Sequence, residues 1–144
     1  AGRAFRRASE VWPPSAEAWE ACDILLLDTL GDLASAYREG TLALVAGGWA
    51  WHGGHNPLEP VRMGLPTLVG PGFTNFEDLV EPLREAGLVE VVPLERLNER
   101  TTELLEGACL RPAESGKPVP YPEELAGSLE KTVAILRNCL PPPR

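Results

Sequence analysis

The stretch Gly47-Gly48-Trp49-Ala50-Trp51-His52-Gly53-Gly54-His55-Asn56-Pro57-Leu58-Glu59-Pro60 decides the fold. It leaves the apolar run Leu42–Ala46 and leads into a short helical pattern that Gly64 closes. A strand, a glycine-rich loop and a helix in that order form a βα joint. Asn56 suits an N-cap, Pro57 the first helical position, and Glu59 stands three residues after the cap, where its side chain can reach back to the backbone. Helix N-termini present unpaired N–H groups, and glycines let a phosphate approach the backbone, so the turn reads as an anion site able to dock a nucleotide.

The same alternation continues on both sides. Upstream, Ile24-Leu25-Leu26-Leu27 is an unbroken apolar run of the kind that fills a strand buried on both faces of a parallel sheet. Thr29 can cap the helix after it, whose apolar positions Leu30, Leu33, Ala34 and Tyr37 fall on one face before Gly40. A short strand around Ala4-Phe5 precedes, with Arg3, Arg6 and Arg7 either solvated or turned toward a phosphate. After Trp12-Pro13-Pro14, Ser15 can cap a helical turn through Ala21. Downstream, Thr67–Val69 and Leu88–Val92 are further strands, and Asn75 caps a helix carrying Phe76, Leu79, Val80 and Leu83 at helical spacing until Gly87. Leu94, Leu97, Thr101, Leu104 and Leu105 mark another helix. Residues 111–144 read as a proline-rich loop followed by a C-terminal helix.

This pattern predicts an α/β fold with an open parallel sheet, Rossmann-like, with right-handed crossovers and helices on both faces. Ligands of such sheets bind beyond the carboxyl ends of the strands. That places a site after Leu27, Ala46 and Val69. At 144 residues, with 44% hydrophobic and 24% charged residues, the chain is a single globular domain, 1–144. A net charge of −8 and a pI near 4.8 argue against a phosphate-backbone surface, so nucleic acid is not an expected partner. The three cysteines, Cys22, Cys109 and Cys139, match no disulfide framework or metal-ligand spacing and fit a reducing cytoplasm. No apolar run approaches the ~20 residues of a membrane span.

Gly53-Gly54-His55-Asn56-Pro57-Leu58-Glu59-Pro60, followed by Gly64-Leu65-Pro66 and Gly70-Pro71, resembles the 3-deoxy-D-manno-octulosonic acid (Kdo) transferases of lipopolysaccharide synthesis. These are GT-B glycosyltransferases that use CMP-Kdo. The resemblance takes in Asp28-Thr29-Leu30-Gly31-Asp32-Leu33, Arg7 to Glu10, and Asn75-Phe76. It implies the C-terminal donor-nucleotide domain of such an enzyme, lacking its first strand-helix unit. Glu59 would accept hydrogen bonds from the ribose hydroxyls, a role suited to an acceptor-only group. Gly47, Gly48, Gly53, Gly54, His55, Asn56 and Asn75 would border the phosphate and sugar, and Thr29 and Gly31 the base. Each has a plainer alternative: a tight loop for the glycines, a capping box for Asn56 and Glu59, loop packing for His55, and caps or turns for Thr29, Gly31 and Asn75. Asp28 and Asp32 suggest no metal, because no third ligand is in sight; neither cofactor nor metal is expected.

Three departures from the family pattern stand out. Trp49-Ala50-Trp51-His52 is one residue shorter than usual between the glycine pairs and holds two tryptophans, Asp32 replaces a glutamate, and Gly72-Phe73-Thr74 differs from the usual residues. The resemblance implies a CMP-sugar donor, with a lipid A precursor as acceptor, an N-terminal domain that supplies the acceptor site and membrane anchor, and work at the inner face of the inner membrane. With the central strand outside this sequence, the exposed edge near Leu42–Ala46 predicts a second copy, a swapped segment or a rearrangement, hence a possible homo-oligomer. Another GT-B transferase, a sugar-nucleotide epimerase domain and a non-catalytic nucleotide-binding module remain as alternatives.

Overall fold

The computed structural model describes residues 3–11, 22–50 and 53–109. The chain divides into two compact units, Ala1–Glu39 and Gly40–Arg144. The expected turn from Ser15 to Ala21, the residues Trp51 and His52, and the loop and helix of 111–144 lie outside the described residues.

In the first unit, β1 (Phe5–Arg7) pairs in parallel with β2 (Ile24–Leu26), Phe5 opposite Ile24 and Arg7 opposite Leu26. Two aspartates bracket the pair. At the amino end Asp23 Oδ2 accepts from Ala4 N at 2.7 Å, and Asp23 N and Ile24 N both donate to Ala4 O. At the carboxyl end Asp28 accepts from Ser9 N at 2.9 Å and from Ser9 Oγ at 2.8 Å, tying β2 to α1 (Ala8–Val11). These bonds, the backbone one first, hold the Asp28 carboxyl below its ordinary pKa.

Two expectations fail here. The run Ile24–Leu27 is not buried on both faces: Phe5, Ile24 and Leu26 are 52%, 46% and 42% exposed. Among the described residues of this unit, the two-stranded sheet lacks the layers that would cover both of its sides. Nor does Thr29 cap α2 (Leu33–Glu39), whose first intrahelical bond runs from Ala36 N to Asp32 O. Asp32 holds the cap position, Thr29 Oγ1 is buried without a hydrogen-bond partner, and Leu30 lies ahead of the helix, fully exposed.

The second unit is a three-stranded parallel sheet in the order β3-β4-β5: β3 (Ala43–Val45), β4 (Thr67–Val69) and β5 (Val89–Val91). Val45, Val69 and Val91 share one register row, so the three strands end level at their carboxyl termini. Between β3 and β4 runs α3 (Leu58–Arg62); between β4 and β5 run a 3-10 turn, Thr74–Phe76, and α4 (Glu77–Glu85). The core is Val45, Val61, Val69, Val80, Leu83 and Val89, with Val80 and Leu83 fully buried. Central β4 is buried along its whole length, Thr67 included, while edge strand β3 exposes Leu44. Buried Thr67 is satisfied by donating from Oγ1 to Leu65 O at 2.9 Å.

After β5, α5 (Leu94–Cys109) is held by Arg100, whose Nε donates to both carboxylate oxygens of Glu90 at 2.8 and 2.9 Å and whose Nη1 donates to Glu103 at 2.7 Å. The Glu103 and Glu90 bonds raise the guanidinium pKa further above its ordinary value. Leu97 and Leu104 are half-buried, whereas Leu94 and Leu105 are exposed. Among the described residues the strands form two parallel sheets, β1-β2 in the first unit and β3-β4-β5 in the second, and the α/β fold with parallel strands is the one expected.

Candidate functional site

Parallel strands that end level place their following loops side by side, and in the second unit three such loops meet beyond Val45, Val69 and Val91. Hydrogen bonds stitch them together. Gly72 N donates to Gly48 O at 2.9 Å and Asn75 N to Gly53 O at 3.1 Å, joining the loop after β4 to the loop after β3 at two points. The Trp49 indole Nε1 donates to Val92 O at 2.7 Å, and Val92 N donates to Val69 O at 2.9 Å, bringing in the end of β5.

The glycines are where these loops touch. A Cβ on Gly48 would lie 2.7 Å from Gly70 O, and one on Gly72 would lie 2.9 Å from Gly48 O, so two backbones cross with no room for a side chain. Gly47, Gly53 and Gly54 all have φ between +68° and +95°, in the left-handed region. A Cβ on Gly47 would meet His55 Cδ2 at 3.0 Å, one on Gly53 would run into the Asn75 carboxamide, and one on Gly54 would meet Phe73 Cα at 3.1 Å. The space that side chains would occupy at these five glycines is thus filled by protein. Gly31, at φ +90° in the first unit, has nothing within 4 Å of its Cβ direction and stands open beside Thr29.

α3 begins one residue later than expected. Asn56 Oδ1 accepts from Leu58 N at 2.9 Å, but the first helical bond, Val61 N to Pro57 O, makes Pro57 the cap residue. Exposed Glu59 stands in the first turn without the reciprocal bond of a capping box. Pro57 and Pro60 carry no N–H, so the bonds at Leu58 and Val61 account for every first-turn donor except the Glu59 N–H. A helix of five residues also has little macrodipole, so the helical part of an anion site here is small. Asn75 caps no helix: it sits inside the 3-10 turn, α4 starts from Phe76 without a side-chain cap bond, and Asn75 N is directed at Gly53 O.

The structure therefore brings Gly47, Gly48, Gly53, Gly54, His55 and Asn75 into one loop cluster, with Asn56 and Glu59 on the turn leading out of it. Thr29 and Gly31 belong to the other unit. Sequence reasoning missed Gly70 and Gly72 as packing partners and Trp49 as an anchor. The signal for the first was present, because two adjacent strands both end in glycine. Among the described residues no cluster of three or more His, Cys, Asp or Glu side chains could hold a metal ion, and no helix is long and apolar enough to cross a membrane.

No protein-family model matches the chain. It is 32% identical over 141 residues, 97% of its length, to the 3-deoxy-D-manno-octulosonic acid transferase of Bordetella pertussis, covering 32% of that protein. It is 39% identical over 84 residues, 58% of its length, to the transferase of the same name from Aquifex aeolicus, covering 24% of it. The chain thus spans a third or less of the curated relatives it matches. Among solved structures it is similar to the C-terminal CMP-Kdo binding domain of WaaA from Acinetobacter baumannii, with a TM-score of 0.61 and 25% identity, covering 77% of this chain and 54% of that one. The chain belongs to the Kdo transferases, as a relative of their C-terminal domain.

Proposed function

We propose that this chain is the donor-binding part of a Kdo transferase and holds the CMP moiety of CMP-Kdo while Kdo passes to a lipid A precursor. The observation that carries the reading is the likeness, over most of the chain, to a CMP-Kdo binding domain, together with the loop cluster at the carboxyl ends of β3, β4 and β5. The cluster's role is to hold the leaving group: fixed backbone donors around a phosphate stabilise the charge that develops there as the bond to Kdo breaks. Glu59, exposed and without a hydrogen-bond partner of its own, is free to accept from the two ribose hydroxyls. His55, packed against Gly47 yet exposed, would donate to the single phosphate.

The acceptor site and the base belong to a partner domain, the reaction needs neither cofactor nor metal, and the assembled enzyme works at the inner face of the inner membrane. A homo-oligomer that covers the β3 edge is part of the same reading. Calorimetric titration with CMP, UMP and UDP tests it. Binding of CMP at least tenfold tighter than of either uridine nucleotide is expected, and equal or absent binding of all three overturns the reading. Kdo transfer should appear only when an acceptor domain is supplied.

A further inference from the structure

The turn of residues 46–50 that carries Gly47 and Gly48 leaves the end of edge strand β3, where no strand on its outer side is hydrogen-bonded to it among the described residues. Its fixed points are therefore those it makes inward. One is the backbone crossing of Gly48 with Gly70 and the bond from Gly72 N to Gly48 O at 2.9 Å. The other is a side chain: half-buried Trp49 donates Nε1–H to Val92 O at 2.7 Å. Val92 is buried, and its own N–H is bonded to Val69 O, so this carbonyl belongs to the rigid end of the sheet. Trp49 thus ties the first loop to the end of the third strand. A buried carbonyl left without a donor is costly, so the bond favours one loop position over others.

We infer that Trp49 is a positioning residue for the nucleotide site, holding the backbone of residues 47–50 in its binding arrangement through the Val92 carbonyl. The inference rests on the CMP-binding reading above. Trp49 touches no ligand in this role; it raises the fraction of molecules whose loop is already in place. The apparent affinity scales with that fraction. Losing one neutral hydrogen bond should then weaken CMP by about two- to tenfold.

The test compares the parent chain with Trp49→Phe, which keeps an aromatic ring and removes the N–H, using calorimetric CMP titration and amide hydrogen exchange. In the variant, CMP should bind about two- to tenfold more weakly. The amides of Ala50, Gly72 and Asn75, which close the loop cluster, should exchange faster in the free chain and regain parental protection at saturating CMP. The helix α4 amides should be unchanged. A residue that only stabilised the fold would speed exchange across the sheet and α4 together, and CMP would not restore the loop selectively. A parent that binds CMP while Trp49→Phe binds equally well with unaltered loop exchange overturns the positioning role alone. A parent that does not bind CMP overturns the nucleotide reading and the role with it, whatever the exchange shows.

Discussion

Replacing Gly48 by alanine tests whether the glycine pairs serve the loops or the ligand. The φ of Gly48 is not in the left-handed region, so alanine meets no backbone strain there and the whole effect is steric. Its Cβ would lie 2.7 Å from Gly70 O, 3.0 Å from Gly70 C and 3.1 Å from Gly70 Cα. All three are backbone atoms, which cannot swing aside as a side-chain end can. The loops after β3 and β4 must separate, straining the 2.9 Å bond from Gly72 N to Gly48 O. Overpacking of this kind costs about 1–3 kcal/mol. At roughly 3 °C per kcal/mol for a chain of this size, Gly48→Ala should lower the melting temperature by about 3–9 °C. The control is Gly31→Ala, where nothing lies within 4 Å and only the φ of +90° opposes the substitution. It should cost about 1–2 kcal/mol. Thermal and urea melts measure both, and a CMP titration on the folded variants measures binding. A Gly48→Ala chain that melts with the parent yet loses CMP would refute the reasoning, because the Cβ space would then face the nucleotide.

Glu59→Gln should cost about 0.3 kcal/mol in stability, since no capping box is lost, and weaken CMP by ~10-fold or more if the carboxylate receives the ribose hydroxyls; titration with a dideoxy analogue should show the difference vanish. Asn56→Ala is the control, removing the bond from Leu58 N and lowering stability by about 1 kcal/mol. Ser9→Ala should destabilise the chain at neutral pH by removing one of the bonds that depress the Asp28 pKa. A depressed carboxylate contributes stability above its unfolded pKa of about 3.9 and loses it as pH falls through the folded value, so parent and variant melts should converge below about pH 4; a gap that persists at lower pH would show another cause. Arg100→Met should destabilise the chain by freeing Glu90 and Glu103, and because these groups are partly exposed the loss should shrink in about 1 M salt.

The parts of the fold that were legible are those set by local pattern. Three mainly apolar runs separated by helical patterns predict parallel strands, and Thr67–Val69 is buried on both faces, its one polar side chain satisfied by Leu65 O. The same argument applied to Ile24–Leu27 gave burial that is not there, since an apolar run states what a strand can bury and not whether two more layers exist to bury it. The expected caps moved for a related reason. Thr29, Asn56 and Asn75 are all residue types that cap helices, yet the helices start beside Asp32, Pro57 and Phe76. At Asn75 the deciding contact is distant: its N–H is directed at Gly53 O, and its carboxamide lies where a Cβ of Gly53 would be.

The glycines carry this furthest. Read along the chain, two pairs before a helix suggested a cradle open to a phosphate. In three dimensions the second glycine of the first pair is used by Gly70, and both glycines of the second pair by Asn75 and Phe73. A ligand site and a loop crossing ask for the same residue, because each needs a backbone approached closely, and only the partner across the gap distinguishes them. That partner is remote in sequence, as Val92 is for Trp49. Local rules therefore locate the rim on which a nucleotide would sit, while the contacts that give the rim its shape come from the pairing of β3, β4 and β5.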